Sequence, residues 1–226
     1  MRIRSHRLLC GGLVAVCLVA VSLLPPATEA APVPKPPRPL HPTVVKLAKL
    51  VAPPAEPQRR PTVTDWAAAE KALGTPFPDD YKDLVATYGE GYFTDEEVVW
   101  LYTPKHSQPH FRVAENNLLY RKAAQEEWEQ LGSRENPPIF PDEGGYLFVG
   151  TTAVGKDLSY RPSGKPNEWS VVLYWWRGAE RKRVEECKVG LAELLLALAE
   201  GKSTCSLAAL KGFDPPMKFV PHREEK

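Results

Sequence analysis

The chain is short of the groups that do covalent or metal chemistry. Its 226 residues include four cysteines, five histidines and two methionines. No Cys-x-x-Cys pair occurs and no histidine neighbours a cysteine at ligand spacing, so no metal or other cofactor is expected. No Gly-x-Ser-x-Gly elbow is present, which leaves the usual serine-hydrolase arrangement without its nucleophile. Excess charge of one sign is also missing: 29 Lys and Arg stand against 28 Asp and Glu. Nucleic-acid binding needs a concentrated basic face, and this composition does not supply one.

What is abundant is proline, and it is unevenly placed. Residues 25–61 hold twelve of the 24 prolines. Before them, Arg2, Arg4 and Arg7 precede an apolar run from Leu8 to Leu24, then Pro25-Pro26 and small residues up to Ala30. Basic start, apolar centre and small residues at the end are the parts of a secretory signal peptide. Residues 1–30 are therefore expected to be a signal peptide cleaved after Ala30, and the protein to be secreted or extracytoplasmic. Two alternatives stay open. Residues 8–24 are just long enough for an uncleaved membrane anchor. A downstream start codon would instead make the protein cytoplasmic. The bulky Val16 before Cys17 argues against a lipoprotein site there.

Without residues 1–30 the chain has 26 basic and 27 acidic residues and two cysteines, Cys187 and Cys205. In an oxidising compartment such a pair is compatible with one disulfide; two buried free thiols are the alternative. Residues 31–61 read as a Pro-rich linker. Within it Thr43 to Val51 suits about two helical turns, and a transient turn is the expectation because isolated helices this short are marginal in water.

From residue 62 the composition turns globular, and all six tryptophans lie beyond it. Residues 62–212 are expected to form one domain and 213–226 a tail. Two amphipathic helices open the domain. Thr64 is placed to cap the first, which carries Trp66, Ala69 and Leu73 on one face, and Gly74 ends it. Pro76 and Pro78 form an elbow, Asp79 or Asp80 caps the second helix, and Tyr81, Leu84, Val85 and Tyr88 share its buried face up to Gly89. A strand over 97–103 follows. Next comes a helix over 115–131 with Leu118, Leu119, Ala123, Trp128 and Leu131 as its apolar residues. Strands at 146–152, 157–160, 169–175 and 182–186 lead to a last helix ending at Gly201. Short connections suit antiparallel neighbours, so the class is α+β with a mainly antiparallel sheet.

Three motifs invite chemistry. Residues 150–156 fit Gly-x4-Gly-Lys after a strand, the pattern of a phosphate-cradling loop in a nucleotide-dependent enzyme. Asp157 replaces the hydroxyl that would hold magnesium, and the residues after it read as strand rather than helix, so this is the minor reading. His106 and His110 are four apart, but Pro104 and Pro109 argue against a helix, leaving surface histidines in a loop. Asp95, Glu96 and Glu97 read as a solvated charge run whose natural use is contact with a basic partner.

One constellation is more informative. Glu70, Leu73-Gly74, Pro78, Asp80-Tyr81, Tyr88-Gly89 and Gly91 are followed by Gly150, Gly155, Asp157 and Trp169. This resembles the SUKH superfamily, the Smi/Knr-type cell-wall assembly regulator domain, over roughly residues 62–200. The resemblance implies helices around a curved, mainly antiparallel sheet and a protein-binding module rather than an enzyme. It implies a protein partner, in many bacterial members a toxin that they neutralise and in fungal relatives a scaffold role in cell-wall signalling. It brings no catalytic residues and no small-molecule substrate. Its recurring residues have structural jobs, so partner choice falls to the surface, where Asp95, Glu96, Glu97, Trp100 and Tyr102 are the contact candidates. An export signal sits oddly on such a domain, since immunity domains usually act in the cytoplasm.

Overall fold

Among the described residues, five α-helices and seven strands succeed one another in the order α1 (Pro42–Leu50), α2 (Val63–Leu73), α3 (Asp79–Tyr88), β1 (Gly91–Thr94), β2 (Val98–Leu101), α4 (Val113–Leu131), β3 (Leu147–Thr152), β4 (Lys156–Arg161), β5 (Ser170–Trp175), β6 (Val184–Glu186), α5 (Leu191–Ala199) and β7 (Lys218–Pro221). This computed structural model describes residues 38–94, 98–131, 138–153, 155–175, 184–202, 205 and 216–222. The chain divides at Arg38, and the architecture belongs to the unit from Pro39 onward. The expected signal or anchor segment, 1–30, lies outside the described residues, as do Asp95, Glu96 and Glu97. Among the described residues no helix is long and apolar enough to cross a membrane.

The strands form one sheet in the order β6-β5-β4-β3-β2-β1-β7. Every neighbouring pair is antiparallel. The class is α+β, an open antiparallel sheet with helices packed on it.

The helix–elbow–helix forms for local reasons. Thr62, two residues before the expected cap, closes a capping box: its hydroxyl accepts from the Asp65 N–H while the Asp65 carboxylate accepts from the Thr62 N–H. The Thr62 N–H and the Thr62 hydroxyl, each 2.7 Å from the Asp65 carboxylate, hold that carboxyl below the usual range. Gly74 ends the helix in the left-handed conformation. The start of α3 corrects the expected cap. Pro78 occupies the N-cap position, and neither aspartate caps from there. Asp80 instead turns inward, toward Tyr160 and the start of α5.

Two segments expected to be loose are part of the core. Thr43–Val51 is helix α1 and its continuation; Val44 and Leu47 are fully buried and Val51 almost so. Packing against α5 and α3 supplies the stability that so short a helix lacks alone. The linker reading thus does not hold for this stretch. At the other end, residues 218–221 of the expected tail are β7, paired with β1 from Gly91↔Pro221 to Thr94↔Lys218. Phe219 packs on Tyr88 and Phe93 at ring separations of 5.0 Å each.

Helix α4 presents a face the apolar pattern did not predict. Leu118, Leu119 and Trp128 are 46, 59 and 48 % exposed, whereas Val113, Ala114, Asn116 and Asn117 are buried. Asn117 is the anchor. Its amide donates to the carbonyls of Val113 and Phe148 and accepts from the Phe148 N–H at 2.8 Å. Register shifts between Phe148 and Gly150, and a bulge of this kind interrupts the ladder locally. The asparagine serves the Phe148 backbone there, and that polar need orients the helix.

Candidate partner-binding surface

Most residues of the recurring pattern build the junction between the helices and the sheet. Glu70 reaches past the end of α2 to accept the Phe77 N–H at 3.0 Å and to pair with Lys82 on α3. It therefore shapes the Pro76-Phe77-Pro78 elbow. Asp80 accepts from its neighbour's N–H at Tyr81, from the Tyr160 hydroxyl at 3.2 Å and from the Ala192 N–H at 3.0 Å. A carboxylate in the first turn of α5 satisfies an orphan donor and meets the positive end of the helix dipole. The Tyr81 hydroxyl donates to the Tyr102 carbonyl, and that of Tyr88 to the Val51 carbonyl. Burial pushes both phenols far above their ordinary range, so each keeps the proton that it donates. Trp66, Phe77, Tyr81, Tyr160 and Trp169 run through the interior as one chain of edge-on and tilted rings. Leu73 is buried with them. These residues hold the fold: their polar groups bond backbone and neighbouring side chains.

Glu90 forms a second junction that the sequence did not announce. It is 1 % exposed and draws together four segments. Its carboxylate accepts from the Ser107 N–H at 2.9 Å and from the Ser107 hydroxyl, and lies 3.4 Å from Arg59 Nε. His106 and His222 approach it at 3.6 and 3.8 Å. The backbone of Glu90 bonds Gln58 on one side and His222 on the other. His106, expected at the surface, is 2 % exposed and packs on Phe111. Burial pushes its imidazole down to about 4; Glu90 opposes that shift, while His222 and His110 add to it. Among the described residues no cluster of three metal-ligating side chains has the geometry to hold an ion.

Of the surface candidates, the structure separates Trp100 from Tyr102. Tyr102 is 2 % exposed, and burial raises its phenol far above the ordinary range. It belongs to the interior, because it follows β2 where the chain turns back beneath Phe111, whose ring lies 5.9 Å away. Trp100 is only half-buried. It stacks on Phe111 at 6.1 Å with 17° between the planes, and its cross-strand neighbour Tyr92 lies 5.9 Å off. On the same face stand Val220 opposite Tyr92 and Thr151 opposite Trp100, both half-buried. Helix α4 packs on β3, and this β7–β1–β2 end of the sheet keeps an aromatic face partly open to solvent. The missed members were Tyr92 and Phe111. Alternation across β1 could have found Tyr92; Phe111 arrives through a loop and could not be found that way.

The Gly-x4-Gly-Lys segment is a hairpin. Gly150 lies within β3, where a Cβ would meet the Trp100 carbonyl oxygen at 2.5 Å, so it is glycine because β2 passes so close. Gly155 makes the turn, and Lys156 and Asp157 enter β4, Asp157 being buried. A phosphate loop needs a helix N-terminus here, and a strand stands there instead.

A family profile decides what this architecture is. The SMI1-KNR4 cell-wall family (SUKH_6) matches residues 64–195, more than half of the chain. The chain belongs to that family. No curated protein and no solved structure gives a significant match. The SMI1-KNR4 match runs from the first turn of α2 into α5. Helix α1 and strand β7 lie outside it, yet both contribute side chains to the packing of this SMI1-KNR4 domain. Cys187 and Cys205 are joined as a disulfide across the last helix.

Proposed function

We propose that the protein is a non-enzymatic protein-binding module, a toxin-neutralising immunity protein or an envelope-associated scaffold, and that it meets its partner with the β7–β1–β2 face. The observation that carries this reading is the half-buried trio Tyr92, Trp100 and Phe111 at the β7–β1–β2 end of the sheet. Tyrosine and tryptophan held rigidly by their neighbours make strong anchors at low entropic cost. The three acidic residues that connect β1 to β2 in sequence, Asp95, Glu96 and Glu97, favour a basic partner. The expected export signal and the disulfide together support an extracytoplasmic site of action.

Trp100→Ala tests the reading. Capture from the native source with the wild-type domain as bait should retain a protein at micromolar affinity. The variant should retain its fold by circular dichroism and lose that protein at least tenfold. A wild-type bait that captures nothing at micromolar concentration overturns the proposal, and equal capture by the variant removes this face from it.

A further inference from the structure

Helix α1 packs on α5 and α3 and buries Val44 and Leu47 there. Its exposed residues are Pro42, Val45, Lys46, Lys49 and Leu50. They stand at i, i+3, i+4, i+7 and i+8, so they form one continuous stripe along the outer side of the helix. Val45 is 42 % and Leu50 51 % exposed, and Leu40, two residues before the helix, is 47 % exposed. Three of the eight large apolar residues exposed among the described residues thus fall within residues 40–50. Apolar residues scattered singly over a surface need no explanation, but a cluster marks a contact.

Charge says what covers it. Residues 31–55 contain Lys35, Arg38, Lys46 and Lys49 and no aspartate or glutamate. Residues 1–50 hold seven basic residues and one acidic, whereas residues 51–226 hold 22 and 27. The positive charge of a near-neutral chain is therefore gathered at this end, the asymmetry expected of a segment that meets an anionic surface. Carboxylates meet α1 at its start: Asp83 accepts the His41 N–H at 2.6 Å, and Glu193 lines a recess with Thr43. Lys46 and Lys49 lie further along. Helix α4 is the contrast. It also exposes Leu118, Leu119 and Trp128, but it carries Glu115, Glu126, Glu127 and Glu129, which an anionic surface would repel. The chain that leads into α1 also carries the apolar run of residues 8–24. Retained as an anchor, that run would keep α1 within about 60 Å of a bilayer, the extended reach of residues 25–41.

We propose that the outer face of α1 rests on an anionic lipid bilayer. Leu40, Val45 and Leu50 enter the layer between headgroups and acyl chains, as the apolar side of an interfacial helix does. Lys46 and Lys49 lay their stems along these neighbours and extend their ammonium groups to the lipid phosphates. Each basic residue at such a surface strengthens binding about fivefold. The attraction fades within a Debye length of about 10 Å, so acidic residues on the far side of the domain oppose it little. This surface shares no residue with the Tyr92–Trp100–Phe111 face and stands or falls apart from it.

Residues 8–24 would enter any bilayer, so the test uses the chain from Ala31, the expected exported form, which keeps the whole compact unit from Pro39 onward. It is sedimented with vesicles of equal parts phosphatidylglycerol and phosphatidylcholine, or of phosphatidylcholine alone. The protein should follow the mixed vesicles at about 0.1 M salt, leave them at about 1 M, and ignore the neutral ones. Lys46→Gln combined with Lys49→Gln should weaken binding about 25-fold. Leu50→Ser should weaken it severalfold and leave its salt dependence unchanged. All three positions are exposed, so circular dichroism and melting temperature should stay those of the parent. Arg121→Gln combined with Lys122→Gln removes the same charge from α4 and should leave binding intact. No sedimentation with the mixed vesicles gives the face to another occupant and overturns the proposal. Equal sedimentation with neutral vesicles, binding unchanged by the α1 variants, or equal losses in the two double variants overturns it as well.

Discussion

The carboxylate of Asp80 on α3 accepts the backbone N–H of Ala192 in the first turn of α5 at 3.0 Å, across 112 residues of sequence. One side chain thus ties the first third of the domain to its last helix. Asp80→Ala removes the acceptor for three donors, and we expect a loss of about 2 kcal/mol in urea unfolding. Asp80→Asn keeps one oxygen for Ala192 and should lose less. Equal losses in the two variants would mean that the carboxamide cannot serve α5.

Gly74 and Gly89 both have φ of 73°, yet they should respond differently to alanine. Nothing lies within 4 Å of a Cβ at Gly74, so Gly74→Ala carries only the left-handed penalty of about 1 kcal/mol. At Gly89 a Cβ would meet the Gln58 carbonyl oxygen at 2.4 Å. Gly89→Ala must also push away the segment that holds Gln58 and Arg59, and its denaturation midpoint should fall well below that of Gly74→Ala.

Helix α1 decides where the folded unit starts. A chain beginning at residue 62 would keep the whole family match but lose Val44, Leu47 and Val51 from the core. Leu47→Ala in the full chain should cost about 2–5 kcal/mol. A chain from residue 62 that melts cooperatively at the parent temperature would show that α1 is dispensable.

Acid should weaken the fold through His106. Its imidazole titrates near 4 when folded, against an ordinary 6.5. The unfolded chain therefore takes the proton first, so stability is full above about pH 6.5 and declines as pH falls toward 4. Comparing His106→Phe with the parent reports this contribution together with the response of Glu90 and His222 beside it. Parallel curves of melting temperature against pH would exclude it.

Reduction should destabilise the domain. Cys187 and Cys205 are 18 residues apart, and closing a loop of this length stabilises by about 3 kcal/mol in the chain-entropy account. Dithiothreitol should lower the denaturation midpoint of the parent and leave a Cys187→Ser, Cys205→Ser double variant unchanged.

What the sequence makes legible here is local. The helix–elbow–helix is readable because Gly74, Pro76, Pro78 and Gly89 act through their own backbone. The middle strands are readable as apolar runs between turns. Strand β1 is four residues with a glycine at its head, and β7 lies among prolines; neither means anything until it meets the other. Helix α1 is marginal by propensity and formed by packing. Helix α4 is oriented by Asn117 rather than by its leucines. The recess between the starts of α1, α3 and α5 is the least legible feature, because His41, Asp80, Trp169 and Glu193 come from four distant stretches and share a wall only after folding.

Strand β7 has a further consequence, in the order of synthesis. A chain made from its N-terminus presents β1 long before its edge partner exists. Until residues 218–221 emerge, Phe93 and Tyr88 lack Phe219 above them, and the β1 edge has open backbone groups. The sheet therefore stays incomplete until residues 218–221 have been made, and Phe219 is the last ring to reach the Tyr88–Phe93 pair.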